Sequence, residues 1–502
     1  MQKRLIFTFI PFGLFAIFIL GMALIQFATP DLPDNDGFYH IKFAWLMRTE
    51  GLKPDFTWLP LSILGENEFY DHHFLFHAAL IPFTFGDLRL GAKWAAVIFA
   101  SLAFLAVWFL FHRQRLPFAW LWALALFGIS DAFLYRMSVT RAQSLSLAVL
   151  VVAFAWLLEG KHKHLAILSF IYVWMYDAFP LMIALAVLHL VAVAVTEHRL
   201  ELRPLLYISG GILLGLLVNP YFPENIIFSY RHMLPKLADA TSVRVGNEWF
   251  PYDTKQILDN SLPSLIAFAS GTIALGLSGR KMEVRTAFAL LASLLFGLML
   301  FQARRFVEYF PPFALIFAAF AWAPLFDARY APAPTADAPR GHFPFILRNS
   351  LSVTLLSLAV AVGIARSVPA AREALDRSKP YGLYAGASAW LENNTPSGSR
   401  VFQTDWDDFP RLFFYNTHDT YLIGLDPTYM QLYDPQLYDL WVDITRGDVD
   451  NPSRIIAGTF ASGFVHTDLN HAGFIDAAMK DSGLKEVYRD DQALVFEVIA
   501  PP

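Results

Sequence analysis

From Leu5 to Phe27 the chain runs 23 residues without a charged side chain. A hydrocarbon layer about 30 Å thick takes roughly 20 apolar residues of helix, because every backbone polar group must be satisfied within the segment. One such run already excludes the ordinary water-soluble folds. Others follow near 92–112, 118–134, 144–158, 163–176, 178–196, 204–219, 263–279, 284–301, 303–326 and 349–367, bringing the expected spans to eleven. Composition agrees, at 56% hydrophobic and 16% charged, where soluble globular chains hold about a quarter charged residues. The expected fold is a polytopic α-helical membrane protein. Its net charge of −5 is dispersed, with no basic stripe, so nucleic acid is not an expected partner. Without cysteine there is neither disulfide nor thiolate metal site.

Lys3 and Arg4 precede the first run and hold the N-terminus on the cytoplasmic side. The run is longer than a secretory signal core, so it is expected to remain as an uncleaved helix. Residues 28–90 then form a long outer loop, with an amphipathic segment at Ile41–Glu50 and an apolar piece, Phe74–Phe85, too short to cross upright. The same threading puts the base-rich turns His112–Arg115, Lys161–His164, Gly279–Lys281 and Asp327–Arg348 inside, and the C-terminus outside. This describes a multi-pass protein of the inner (cytoplasmic) membrane. Residues 1–368 form its membrane domain. Residues 369–502 turn polar and are expected to form a soluble α/β domain in the periplasm or outside the cell. Strand-like pieces lie at Arg400–Trp406, Tyr421–Leu425, Ile455–Val465 and Ala493–Val498, alternating with helical pieces at Tyr384–Asn393 and Ala472–Ser482.

The outer loops carry the candidate chemistry. Asp31–His40 holds three carboxylates and a histidine at the mouth of the first helix. Asn35-Asp36-Gly37 has turn chemistry and can simply start the next helix. A carboxylate at that surface can also bind a divalent cation, act as base, or polarise an acceptor, and Asp36 is the candidate catalytic residue. Asp71, His72, His73 and His77 follow, with His73 and His77 one helical turn apart. They suit a metal or phosphate contact, a proton relay with Asp36, or an interfacial helix facing water. Arg136 and Arg141 lie in a second outer loop, Asp131–Gln143, and suit either a solvated loop anchored to lipid headgroups or a phosphate clamp, since phosphate oxygens match a guanidinium fork. A third loop carries Arg244, Glu248 as a second acidic ligand, and Trp249 as a sugar-stacking face or a belt residue at the lipid boundary. Arg304 and Arg305 sit at the outer end of a span, where the orientation rule does not place basic residues. An intramembrane cation faces a cavity or an anion, so both are candidates for donor phosphate. Asp405-Trp-Asp-Asp408 suits an acceptor site or a strand-ending turn.

At Asn35-Asp-Gly-Phe38 the chain resembles the bacterial single-subunit oligosaccharyltransferases, GT-C-class membrane glycosyltransferases with an aspartate in the first outer loop. The likeness continues through Ile81-Pro-Phe-Thr-Phe85 and Tyr135-Arg-Met-Ser138, covering about the first 150 residues. A looser likeness joins it to uncharacterised bacterial GT-C proteins, through Asp36, Phe38, Tyr39 and His40 and a late Arg-Arg-Phe. It departs from the oligosaccharyltransferases in two places. Thr140-Arg-Ala-Gln143 stands where they carry an acidic pair, and Thr404-Asp-Trp-Asp-Asp-Phe409 where they carry Trp-Trp-Asp-Tyr-Gly. The resemblance implies a GT-C-like enzyme that moves a sugar, with inversion, from a polyprenyl phosphate or diphosphate carrier to an acceptor outside the membrane. The acceptor, a glycan, a lipid or a protein, stays open. Asp36 is then the base or acceptor activator. His40, Asp71, His73, Arg141, Glu248, Arg304 and Arg305 are the expected substrate-binding residues. Asp36 and Glu248 would be the ligands of any Mg²⁺ or Mn²⁺. The competing reading is a transporter or flippase for lipid-linked sugars; such proteins usually show internal repeats, and this chain has none.

Overall fold

The computed structural model describes residues 2–65, 69–233, 246–326 and 345–499. Arg244 and most of the expected inner turn Asp327–Arg348 lie outside them. The described chain forms two compact units.

The first comprises Met1–Thr29, Lys93–Val218 and Asn247–Arg377. Five helices are long and apolar enough to cross a membrane: Leu88–Arg113, Pro180–Glu197, Thr254–Ser278, Val284–Gln302 and Ser350–Asp376. These coincide with five of the eleven expected spans. The first expected span lies on the helix Gln2–Gln26, and two others coincide with shorter helices, His162–Met175 with 14 residues and Arg203–Leu217 with 15. At 1.5 Å per residue, 15 residues reach only about 22 Å. Small residues let such helices approach closely. A Cβ built on Gly211 would lie 2.1 Å from the carbonyl oxygen of Ala166 on the neighbouring helix. Packing among Phe rings fills the interior: Phe154 stacks on Phe288 at 3.9 Å, and Phe296 packs on Phe313 at 4.7 Å.

Two expectations in this unit are corrected. Asp131–Gln143 is not a plain loop, because Asp131–Ser138 is helical. Ser130 caps it by accepting the N–H of Phe133 at 3.1 Å, and Phe133, Leu134 and Met137 bury one face. The following helix, Gln143–Leu158, leaves at 111° to it. The expected span from residue 303 also begins later: Arg304–Glu308 is a 3₁₀ turn and the apolar helix starts at Phe310. Both arginines therefore sit on a turn ahead of that helix.

The second unit gathers Pro30–Ala92, Asn219–Gly246 and Ser378–Pro502. Its centre is a five-stranded sheet: β1 Arg400–Gln403, β2 Thr420–Tyr421, β3 Phe464–Asp468, β4 Leu484–Arg489 and β5 Ala493–Val498, in the order β2-β1-β3-β5-β4. β1 runs parallel to β2 and β3, and β5 antiparallel to β3 and β4. Phe402, Trp441, Ile456, Val465, Phe474 and Phe496 form its core. The expected strand Ile455–Val465 divides into a helical turn, Ser453–Gly458, and β3. A short apolar run fits either period, and Pro452 at the cap favours the helix. β4 was not expected, since Lys485-Glu-Val-Tyr-Arg489 is polar and only partly buried. In the first loop, Asp36–Glu50 and Phe74–Leu80 are helices.

Candidate functional site

Within the first unit, four separate stretches bring charge together. The Asp131–Ser138 helix buries its apolar face and so presents Arg136 on the other. Arg136 donates Nε–H to Glu308 at 2.6 Å and Nη1–H to Glu248 at 2.9 Å. Arg141 donates to the same Glu248 oxygen at 3.2 Å. Arg305 lies 3.8 Å from the other oxygen of Glu248, beyond hydrogen-bond reach; it donates to the Tyr176 hydroxyl at 3.0 Å and covers one face of Trp249 at 4.2 Å. Arg304 donates to the carbonyl of Pro251 at 3.1 Å and faces the Tyr252 ring. A cavity of about 520 Å³ opens here, lined by Arg136, Glu248, Tyr252, Arg304 and Arg305 among others.

The charges in this cluster do not cancel. Burial works against ionisation of Glu248, yet Arg136, Arg141 and Arg305 outweigh it and hold its carboxyl well below the usual range. Glu308 goes the other way: burial raises it above the usual range despite Arg136 and Arg305. Arginine does not give up its proton. Three guanidiniums thus face one firmly ionised carboxylate and one drawn toward neutrality, which leaves net positive charge for an anion. Arg305 is paired with Glu248 by charge alone.

The second unit holds the first-loop residues. The N–H of Asp36 donates to Asp34 at 2.7 Å, and Asp36 opens the helix Asp36–Glu50. Its neighbour Asn35 donates to Asp407, to the backbone carbonyl at 3.0 Å and to the carboxylate at 2.8 Å. Asn35 accepts from Arg411 at 2.7 Å. Arg411 is 1% exposed, donates also to the Pro380 carbonyl at 2.8 Å, and lies over Phe38 at 4.2 Å. Asp31 accepts the N–H of Tyr381 at 2.6 Å. One turn along the helix, Nδ1 of His40 meets Nε2 of His77 at 2.8 Å, and Nδ1 of His77 meets Asp71 at 2.8 Å. Asp71 also accepts the N–H of His73 at 2.9 Å, and the His73 ring packs edge-on to His40.

In the Asp405–Asp408 stretch, Asp405 caps a 3₁₀ turn by accepting the N–H of Asp407 at 2.9 Å. Asp408 is buried; burial, with Asp405 and Asp468 beside it, raises its carboxyl well above the usual range.

Among the expected residues, then, Arg141, Glu248 and Arg305 share one cluster with Arg304 on the same cavity, while His40, Asp71 and His73 share another on and against the helix that Asp36 opens. Sequence reasoning did not single out Glu308, Tyr176 or Arg411. Glu308 carried a signal, as a lone carboxylate between Val307 and Tyr309 in an apolar stretch. Arg411 carried none, because its partners are remote in sequence.

No family model and no curated protein sequence matches the chain. Solved structures do. The apo oligosaccharyltransferase of Archaeoglobus fulgidus matches over 98% of this chain and 74% of its own, at 12% identity and a TM-score of 0.66. ArnT from Cupriavidus metallidurans, bound to undecaprenyl phosphate, matches over 100% and 99%, at 14% identity and a TM-score of 0.54. The arabinofuranosyltransferase AftD from Mycobacteria matches over 98% of this chain but 40% of its own, at 14% identity and a TM-score of 0.58. All three are GT-C glycosyltransferases. The chain shares the GT-C fold.

The GT-C fold raises the question of a metal, and the Archaeoglobus enzyme is also known as a complex with Zn and sulfate. Glu248, one of the two expected ligands, does not suit a divalent cation, because three guanidiniums already surround its carboxylate. Asp36, the other, belongs to the second compact unit. No group of three or more His, Asp or Glu side chains able to hold a metal occurs among the described residues.

Proposed function

We propose that this protein is a membrane glycosyltransferase that moves a sugar from a polyprenyl phosphate or diphosphate carrier to an acceptor on the outer side of the membrane. The observation that carries this is the convergence of Arg136, Arg141 and Arg305 on Glu248 beside the cavity. Breaking the bond between sugar and carrier builds negative charge on a phosphate oxygen. Fixed guanidiniums in a partly dry site stabilise that charge without having to reorganise. Arg304 and Arg305 hold the donor phosphate, with Arg136 and Arg141 fixing Glu248 behind it. Asp36 activates the acceptor, with His40, Asp71 and His73 on the acceptor side. The fold shared with ArnT, bound to undecaprenyl phosphate, supports the carrier class.

In this reading the chain passes the membrane eleven times from a cytoplasmic N-terminus. The membrane domain is 1–368, and 369–502 lies in the periplasm or outside the cell, where acceptor and carrier headgroup meet. The test is purified protein with a polyprenyl-phosphate-linked labelled sugar and a set of glycan, lipid and peptide acceptors. Product is expected from the wild type and none from Asp36→Asn at equal expression and melting temperature. Full activity in Asp36→Asn removes Asp36 from the reaction, and carrier movement across vesicles without bond cleavage replaces the transferase by a flippase.

A further inference from the structure

Beyond its arginines, the 520 Å³ cavity is walled by polar and small side chains that phosphate binding does not use. Along the helix Asp131–Ser138, Phe133, Leu134, Met137 and Ser138 are buried, while Asp131, Ala132, Tyr135 and Arg136 line the cavity. The two sets alternate at helical spacing, so the cavity face carries a carboxylate at its start and a guanidinium toward its end. Five residues of rise set these about 7.5 Å apart along the axis. That is the scale of one sugar ring with the phosphate it is joined to.

The wall beside Asp131 is built by a kink. Ser261 leaves helical geometry, at φ −136° and ψ 15°, inside the helix Thr254–Ser278. Pro263 has no N–H to offer the Asp259 carbonyl, and Arg366 donates to that carbonyl at 2.9 Å instead. Ser264 donates to the Ser261 carbonyl at 2.6 Å. The Ser261 hydroxyl meets that of Ser130, next to Asp131, at 3.2 Å. These contacts fix the kink, and with it Asn260, which lies beside Tyr252 on the cavity wall. From the helix Ser350–Asp376 come Ala370 and Ala374. With Ala132 they put three single methyl groups on the lining, which leaves the cavity its width.

We propose that the Asp131 side of this cavity holds the sugar of the donor, with Asp131 and Asn260 as specificity-determining residues that hydrogen-bond its hydroxyls. This rests on the glycosyl-transfer reading above. A carboxylate accepts from two neighbouring hydroxyls, and an amide both donates and accepts, which suits the adjacent hydroxyls of a sugar ring. A site built this way discriminates strongly against a sugar lacking the hydroxyl, because its own polar groups are then left unpaired. The donor class is a neutral, hydroxyl-rich sugar carried on its phosphate. A sugar bearing a carboxylate of its own would set like charge against Asp131.

The experiment uses the full chain in nanodiscs and measures binding of bare polyprenyl phosphate and of polyprenyl phosphate carrying glucose, galactose, mannose or arabinose. The wild type is expected to prefer at least one glycosylated carrier over the bare one. Asp131→Ala and Asn260→Ala should weaken that carrier by about tenfold, the scale of one hydrogen bond to a charged group, and leave the bare carrier unchanged. Arg305→Lys should weaken both. Equal losses for both probes in Asp131→Ala mark a merely structural role and overturn the proposal, as does unchanged affinity. Should Asp131→Ala melt below the wild type, Ala374→Phe decides, since it fills the cavity and removes no polar group: it must exclude the glycosylated carrier and spare the bare one. Binding needs no turnover. A preference for the glycosylated carrier without product sinks the transferase reading and leaves the sugar site standing. Product from a protein with equal affinity for all probes does the reverse.

Discussion

At the scale of single residues, Arg305 and His466 give the sharpest expectations. The Arg305 guanidinium reaches Tyr176, Trp249 and Glu248 at once, which a lysine's point charge does not reproduce. Arg305→Lys should lower the transfer rate by about 100-fold and raise KM for the carrier, on the scale of losing one donor to a developing anion. Unchanged steady-state kinetics would remove Arg305 from the phosphate. His466 in β3 is fully buried, and neither ring nitrogen has a hydrogen-bond partner among the described residues. Burial lowers its pKa from 6.5 to about 4. The unfolded chain therefore takes up a proton near the ordinary value while the folded chain refuses it. Stability is full above pH 6.5 and falls as pH drops toward 4. Between pH 7 and 5 the loss is about 2 kcal/mol. Asp408 acts in the opposite sense, since a buried acid kept protonated favours the fold as pH falls. Comparing wild type with His466→Leu isolates the histidine: between pH 7 and 5 the wild-type melting temperature should fall relative to the variant's. Parallel curves would exclude this role.

At the scale of elements, close helix contacts make their own demands. Gly211 meets the Ala166 carbonyl where a Cβ would stand 2.1 Å away, so Gly211→Leu must push the helices Arg203–Leu217 and His162–Met175 apart. Overpacking of this kind costs about 1–3 kcal/mol or more, and should appear as a lower melting temperature in detergent, whereas Gly210→Leu on the open side should be nearly neutral. The element scale also shows where the sequence was legible. Apolar run length located the helices well, because a lipid-facing or buried helix has no polar residue to interrupt it. It located their ends poorly at Asp131 and Arg304. There the deciding features were a Ser130 cap and an extended Ala303, which are local geometry and not hydropathy. In the sheet, β5 was legible from Ala493–Val498, whereas β4 was not, because its polar side chains leave the apolar signal to its partner. The arginines at 304 and 305 stood out because they break a charge rule. Glu308, which holds Arg136, needed the turn to be seen.

At the scale of the whole molecule, three distant stretches make up the second unit, and this could not be read from sequence at all. Composition divides the chain near residue 369, because that is where the apolar runs stop. Contacts instead group 30–92 and 219–246 with 378–502. Partly buried hydrogen bonds account for part of it: Arg411 and Asp407 hold Asn35, and Tyr381 holds Asp31. Arg411→Met removes the donor to Asn35 and to the Pro380 carbonyl. It should leave partly buried acceptors unsatisfied at about 1 kcal/mol each and open the Asp31–Asp36 turn to limited proteolysis. Wild-type resistance of that turn would show that the clamp is dispensable.

The clamp on Asn35 also has a consequence in time. Asn35 leaves the ribosome 376 residues ahead of Arg411, with much of the membrane insertion taking place in between. At about 5–20 residues per second, that interval is tens of seconds. Throughout it the turn bearing Asp36 lacks the Arg411 and Asp407 partners of its neighbour Asn35, so the first loop is completed only as the last quarter of the chain is made. A chain stalled or cut short before residue 378 would lack the partners of Asn35 and Asp31, which makes the C-terminal segment the step that closes the first-loop turn.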